Sequence, residues 1–187
     1  RSGYAKIKNL PGLAISTSGP GATNMITSIC NCFYESIPCV FLSGNINSKF
    51  MRPHDRIRQI GFQETDLVSI VESISKYAIC IKDPQDIKYE LEKSYFLSTS
   101  GRCGPVVLDI PMDIQKADVN VETLVGFDGS AFELKYNFQE IEKKVINFFE
   151  DLMKSKRPAI LAGGGLRVTN NIERFNFILE KLKIPAF

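Results

Sequence analysis

The sequence predicts an α/β fold in which a parallel sheet is flanked by helices, followed by the start of a second α/β domain. Three observations carry this. In residues 12–24 an apolar strand pattern runs through Ser18-Gly-Pro-Gly21 directly into a helix start. Strand and helix patterns then alternate along the chain, as βαβ units require. Near the C-terminal end a further apolar run meets the triplet Gly163-Gly164-Gly165 and another helix pattern.

Taken in order, Leu13 to Ile15 has the length and β-branched content of a buried parallel strand, turning at Gly19 and Gly21. Pro20 suits the first helical position, where a missing N–H costs nothing. Two readings of the turn stand side by side: a tight turn only, or backbone placed to face a ligand at the carboxyl end of a strand. Ala22 to Phe33 reads as one helix, and residues 37–43 as a second buried strand ending at Gly44. Residues 45–60 lack periodicity and read as a long loop, a feature that is uncommon in compact domains and often functional. Phe62-Gln-Glu-Thr-Asp66 opens a short helix carrying Leu67, Ile70 and Val71 on one face. Tyr77 to Ile81 is a third strand; Asp83 caps a helix with Pro84 at its first position, and Ile87, Leu91, Ser94 and Tyr95 follow its 3.6-residue period. Residues 104–110 form the fourth strand.

From Pro111 the composition shifts to Asp, Asn, Gly and Lys without a sustained period. The expected division is a first domain over residues 1–113, a linker over 114–136 and the start of a second domain over 137–187. In that second part, Phe138 to Met153 is an amphipathic helix, Pro158 to Ala162 a strand, Asn171 to Leu182 a helix, and Ile184 the beginning of another strand. This is the opening of a Rossmann-like unit. The chain begins Arg1-Ser-Gly-Tyr-Ala without an initiator Met, which reads as the middle of a longer polypeptide.

The 23 basic and 21 acidic residues give a formal charge of +2, too balanced for a nucleic-acid groove or a charged membrane patch. No apolar run approaches the roughly 20 residues of a membrane span. Five cysteines (Cys30, Cys32, Cys39, Cys80, Cys103) form no C-x-x-C pair, so the expectation is reduced, mostly buried thiols in a cytoplasmic protein with no metal site of its own.

Four segments in order, Ser18-Gly-Pro-Gly-Ala-Thr-Asn24, Glu35-Ser-Ile-Pro38, Gly61-Phe-Gln-Glu-Thr-Asp66 and the run from Gly101-Arg-Cys-Gly104 to Pro111, resemble the thiamine-diphosphate enzymes of the acetolactate synthase family. The resemblance implies a thiamine-diphosphate-binding fold, with residues 1–113 a partial N-terminal pyrimidine-binding domain and 137–187 the start of the central domain. It implies that the parent decarboxylates a 2-ketoacid such as pyruvate and passes the resulting carbanion to an acceptor carbonyl. The cofactor then lies between two subunits of a homodimer or homotetramer, its diphosphate held through Mg2+ by a C-terminal domain.

On this resemblance Pro20 and Asn24, with Gly19 and Gly21, match positions beside the aminopyrimidine. Phe62 and Gln63 match positions on the substrate side and the subunit interface. Core packing for Phe62 and a helix-start role for Asn24 are the alternatives. Gly163, Gly164 and Gly165 match the turn near the ADP part of FAD in those relatives that carry it, against an ordinary turn.

The chain departs from the family pattern in two places. Asn45, which the resemblance places with Phe62 and Gln63 on the substrate side or the subunit interface, stands where Gln usually follows the strand-ending glycine, and the loop reads Arg56-Ile-Arg-Gln-Ile-Gly61, which puts substrate preference in doubt. Cys103 replaces the family's usual proline ahead of a strand, with a structural consequence expected. The family's catalytic glutamate matches a position before Arg1 and its diphosphate motif a position beyond Phe187. No residue of this chain is therefore assigned a catalytic role, and the chain alone is expected to be inactive.

Other chemistries fit less well. Ser43, His54 and Asp55 lack a Gly-x-Ser-x-Gly elbow, and the 18–24 segment fails as a dinucleotide fingerprint because Asn24 stands at the third glycine. Charges such as Glu140 and Lys144 read as a solvated helix face. The remaining alternative is a non-catalytic nucleotide-binding or regulatory module.

Overall fold

The computed structural model describes residues 2–8, 10–53, 56–132 and 136–187, so His54 and Asp55 lie outside the described residues. Contacts divide the chain into two units, Arg1–Glu133 and Leu134–Phe187.

Four parallel strands organise the first unit: β1 (Gly12–Ser16), β2 (Cys39–Asn45), β3 (Tyr77–Cys80) and β4 (Pro105–Pro111), in the order β1-β2-β4-β3. Gly12, Cys39 and Pro105 share one register level, so the carboxyl ends of β1, β2 and β4 meet at one edge of the sheet. The central strands β2 and β4 are buried along nearly their whole length, as near-continuous apolar runs in a parallel sheet should be. β1 differs from the expected buried strand. Ala14 is buried, but Leu13 and Ile15 are 52% and 64% exposed. β1 ends the sheet, and these two side chains share a face with Val40 and Leu42 beyond the cover of the helix that packs on β2 and β4.

The helices of this unit are α1 (Ser2–Lys8), α2 (Pro20–Thr23), α3 (Ile26–Tyr34), α4 (Leu67–Val71), α5 (Ile87–Thr99) and α6 (Met112–Lys116). One core layer joins Ala14, Phe41 and Val107 to Ile29, Cys32, Leu67 and Val71; the other joins Val106, Leu108 and Ile81 to Ile87 and Leu97. Each fully buried aliphatic side chain contributes about 1.5–3 kcal/mol. Cys32 meets Cys39 in the first layer, and that contact together with burial pushes the Cys32 thiol up, consistent with an unreactive core thiol.

Several elements differ from their sequence expectation. The single helix read over Ala22 to Phe33 is stepped, because Met25 N donates to Ala22 O at 3.0 Å, one residue short of the α-helical span. In α4, Leu67 and Val71 are buried one turn apart while Ile70 is exposed, since five residues present only one such edge. In α5 the buried stripe is Glu90, Ser94 and Ser98, and Leu91 and Tyr95 face outward. Small serines let the helix approach the sheet, and Glu90 accepts a 2.7 Å bond from the Tyr77 hydroxyl. Asp83 caps the turn at Pro84 as expected, accepting from Gln85 N at 2.9 Å. Cys103 donates to Thr99 O at 3.4 Å, a structural contact.

The aperiodic stretch after α6 lies along α5. Phe127 stacks edge-on against Tyr89 at 5.4 Å, and its N–H donates to Glu92 at 2.8 Å. Aromatic anchors, rather than a period, fix this segment.

In the second unit, α7 (Phe138–Lys154) starts at the Asn137 cap, and α8 (Gly165–Val168) and α9 (Ile172–Leu182) follow. The expected strands at Pro158 and Ile184 reduce to one parallel bridge, Ile160 to Ala186, since two short strands alone make a marginal sheet.

Candidate functional site

The carboxyl end of β1 leads into Gly19, whose φ of 58° is left-handed and favours glycine. A Cβ there would stand 2.8 Å from Gln63 Cβ and 3.0 Å from Gln63 O, so this turn is pressed directly onto the Phe62-Gln63-Glu64 loop. Gln63 is itself left-handed, with φ 63°. A Cβ on Gly21 would stand 2.8 Å from Thr17 Cγ2. Close approach thus accounts for both glycines, and that of Gly19 joins two segments 44 residues apart in sequence (63 − 19).

Their neighbours Pro20 and Phe62 flank this contact. Pro20 occupies the start of α2, and the Phe62 ring is 85% exposed, so core packing does not explain it. Asn24 is exposed; its backbone N–H donates to Pro20 O at 3.1 Å, and its side chain has no hydrogen bond among the described residues. The hydroxyl of Ser16, at the end of β1, is buried without a hydrogen-bond partner among the described residues.

Asn45 is placed differently from these residues. It is buried, donating to Asp109 Oδ2 and to Thr65 O at 3.3 Å and accepting from Ile46 N at 2.8 Å. It therefore braces the 62–66 segment from inside the sheet. Burial pushes the Asp109 carboxyl up to about 6, although Asn45 and Ser43 donate to it.

Glu64 and Arg52 carry structure that the sequence reading did not single out. Glu64 Oε1 accepts from Arg52 N at 2.5 Å, and Oε2 accepts from Ile60 N at 2.7 Å and Gly61 N at 3.4 Å. The Arg52 guanidinium donates to Asp66 Oδ2 at 2.9 Å, and Asp66 also caps α4 through Ser69. Burial raises the Glu64 carboxyl, but the three backbone donors and the Arg52 charge outweigh it and hold it below the usual glutamate range. The available signal was an acid closing a long loop, which composition cannot separate from a solvated one.

A cavity of about 610 Å³ opens at the carboxyl ends of β3 and β4, between Arg52, Asp66, Cys80, Glu90 and Asp109. None of Gly19, Pro20, Asn24, Phe62 or Gln63 lines it, so it is separate from the turn-to-loop contact. In the second unit, Gly163, Gly164 and Gly165 have open space where a Cβ would stand, so packing does not demand glycine there. Among the described residues, no helix is long and apolar enough to cross a membrane.

The family described as "Thiamine pyrophosphate enzyme, N-terminal TPP binding domain" matches residues 2–70, which include both the turn and the loop that meets it. Among curated proteins, the chain is 34% identical over 190 residues to an acetolactate synthase large subunit of Buchnera aphidicola, matching 98% of this chain and 31% of that protein. It is 34% identical over 187 residues to a chloroplastic acetolactate synthase of Arabidopsis thaliana, again over 98% of this chain and 26% of that protein. A probable acetolactate synthase large subunit of Methanocaldococcus jannaschii is 30% identical over 192 residues, 98% of this chain and 30% of that protein. The chain thus spans about a third or less of the length of these relatives. The parallel sheet, the glycine turn held against the Phe-Gln-Glu loop and similarity along nearly the whole chain agree: this chain belongs to the acetolactate synthase family of thiamine-pyrophosphate enzymes.

Proposed function

We propose that this chain forms the wall that receives the aminopyrimidine of thiamine diphosphate in an enzyme that decarboxylates a 2-ketoacid such as pyruvate and joins the product to an acceptor carbonyl. The observation that carries the reading is the close approach of Gly19 to Gln63, which brings the turn containing Pro20 onto the loop containing Phe62 beyond the carboxyl end of β1. Open α/β sheets bind ligands at that end. Pro20 and Phe62 offer apolar surface to a flat ring, Asn24 offers an unengaged amide, and Ser16 supplies a hydroxyl in need of a partner. The bound cofactor would supply the carbanion-stabilising group; the chain's residues position it and exclude water on one side.

In this reading the chain contributes no proton-handling glutamate, and a second subunit and Mg2+ complete the site. On its own it is inactive. Any FAD contact would fall on the open side of Gly163–Gly165, where an ADP group has room to approach. Cysteines kept as thiols fit the cytoplasm.

Calorimetric titration with thiamine diphosphate and Mg2+ tests the reading, using Asn24→Ala beside the wild type. Loss of a polar contact to the ring should weaken binding about tenfold. The exposed, unbonded side chain leaves thermal stability within about 0.5 kcal/mol. Equal affinity in the two proteins, or a destabilised variant with unchanged affinity, removes Asn24 from the site.

A further inference from the structure

Just after Phe62 and Gln63, the Glu64 side chain joins Arg52, on the outgoing limb of the loop that follows β2, to Ile60 and Gly61 on its returning limb. Glu64 Oε1 takes the N–H of Arg52 on the outgoing limb at 2.5 Å. Oε2 takes the N–H groups of Ile60 and Gly61 on the returning limb at 2.7 and 3.4 Å. We infer that Glu64 is a positioning residue: its carboxylate clasps both limbs of the loop and so fixes Gln63 against Gly19 and turns Phe62 outward.

Three features make the clasp specific. Gln63 holds a left-handed backbone, φ 63°, which a non-glycine residue keeps only where its surroundings impose it. The outgoing limb is fastened twice, since Arg52 gives its N–H to Glu64 and its guanidinium to Asp66 at 2.9 Å. The base of the clasp is tied to the sheet, because Asn45 on β2 donates to Thr65 O at 3.3 Å. A carboxylate is required, because only its two acceptor oxygens can serve N–H groups on both limbs. In Glu64→Gln one of these positions becomes a donor, and one limb loses its partner.

The functional consequence rests on the proposed aminopyrimidine site, while the clasp itself does not, and the test separates them. Amide hydrogen exchange, the Gln63 backbone couplings that report φ, and amide shifts on adding thiamine diphosphate are measured for the wild type and Glu64→Gln. In the variant, exchange should quicken by about tenfold or more at Arg52 or at Ile60, as expected for losing a bond to a charged acceptor. The Gln63 couplings should move away from the left-handed value. Cofactor-induced shifts should vanish at Phe62 and Gln63 and persist at Gly21 and Asn24, which a general loss of stability would not produce. Unchanged exchange and couplings overturn the clasp. A wild type whose amides ignore thiamine diphosphate defeats the site reading, and exchange and couplings still decide the clasp. Should Glu64→Gln fail to fold, wild-type exchange decides: Arg52 and Ile60 opening together supports one shared clasp, and independent opening overturns it.

Discussion

Asp109 and Glu64 are both carboxyl groups near the carboxyl end of the sheet, and their environments drive them in opposite directions. Glu64 collects backbone donors that lower its pKa, so its contribution is present above the usual glutamate range and lost as pH falls through the lowered pKa. Asp109 is 2% exposed, and burial pushes it up to about 6. An unfolded chain would release that proton near 4. Between those values the folded state binds the extra proton, so the Asp109 contribution is complete below about 4 and is lost as pH rises through about 6. The upper bound on that loss is about 3 kcal/mol. The other titratable groups around it are Asp66, whose charge raises it further, and the Cys80 thiol, which hydrogen-bonds to it. Urea midpoints at pH 4.5 and 7.0 should therefore fall more for the wild type than for Asp109→Asn. Parallel pH dependence in the two proteins would assign the slope to other groups.

At the scale of elements, α5 shows how a helix can bury serines and expose leucine. Ser94 and Ser98 are fully buried, and Ser94 Oγ has no hydrogen-bond partner among the described residues, so shape rather than polarity put it there. Ser94→Leu, which a hydrophobic-pattern argument would favour, should destabilise by about 1–3 kcal/mol through overpacking. Thermal unfolding checks this, and a stabilised variant would contradict the close approach of α5 to the sheet. The same helix explains what the sequence could and could not disclose. β2 and β4 were legible because a strand buried on both faces is a continuous apolar run. The stripe of α5 was not, because small polar residues break the apolar period on which such readings depend. The Gly19 turn was visible from its glycines and Gln63 from its motif, whereas the contact between them was not, since loop contacts between distant segments leave no periodic trace. Asn45 drew notice as a departure from a family pattern, but its inward role depends on Asp109, 64 residues further along the chain (109 − 45).

Over the whole molecule, the first unit gathers three strand ends, a glycine turn and a clasped loop at one edge of a parallel sheet. Its relatives are acetolactate synthases, and the chain spans about a third or less of their length. The central claim is that this edge receives the pyrimidine part of the cofactor, and mapping amide shifts tests it most directly. Thiamine diphosphate is compared with hydroxyethylthiazole phosphate, which lacks the pyrimidine ring. The account predicts that thiamine diphosphate moves the amides of Gly19, Gly21, Asn24, Phe62 and Gln63 while the thiazole compound leaves them in place. Stationary amides at all five positions with thiamine diphosphate, or equal movement with the thiazole compound, would contradict it.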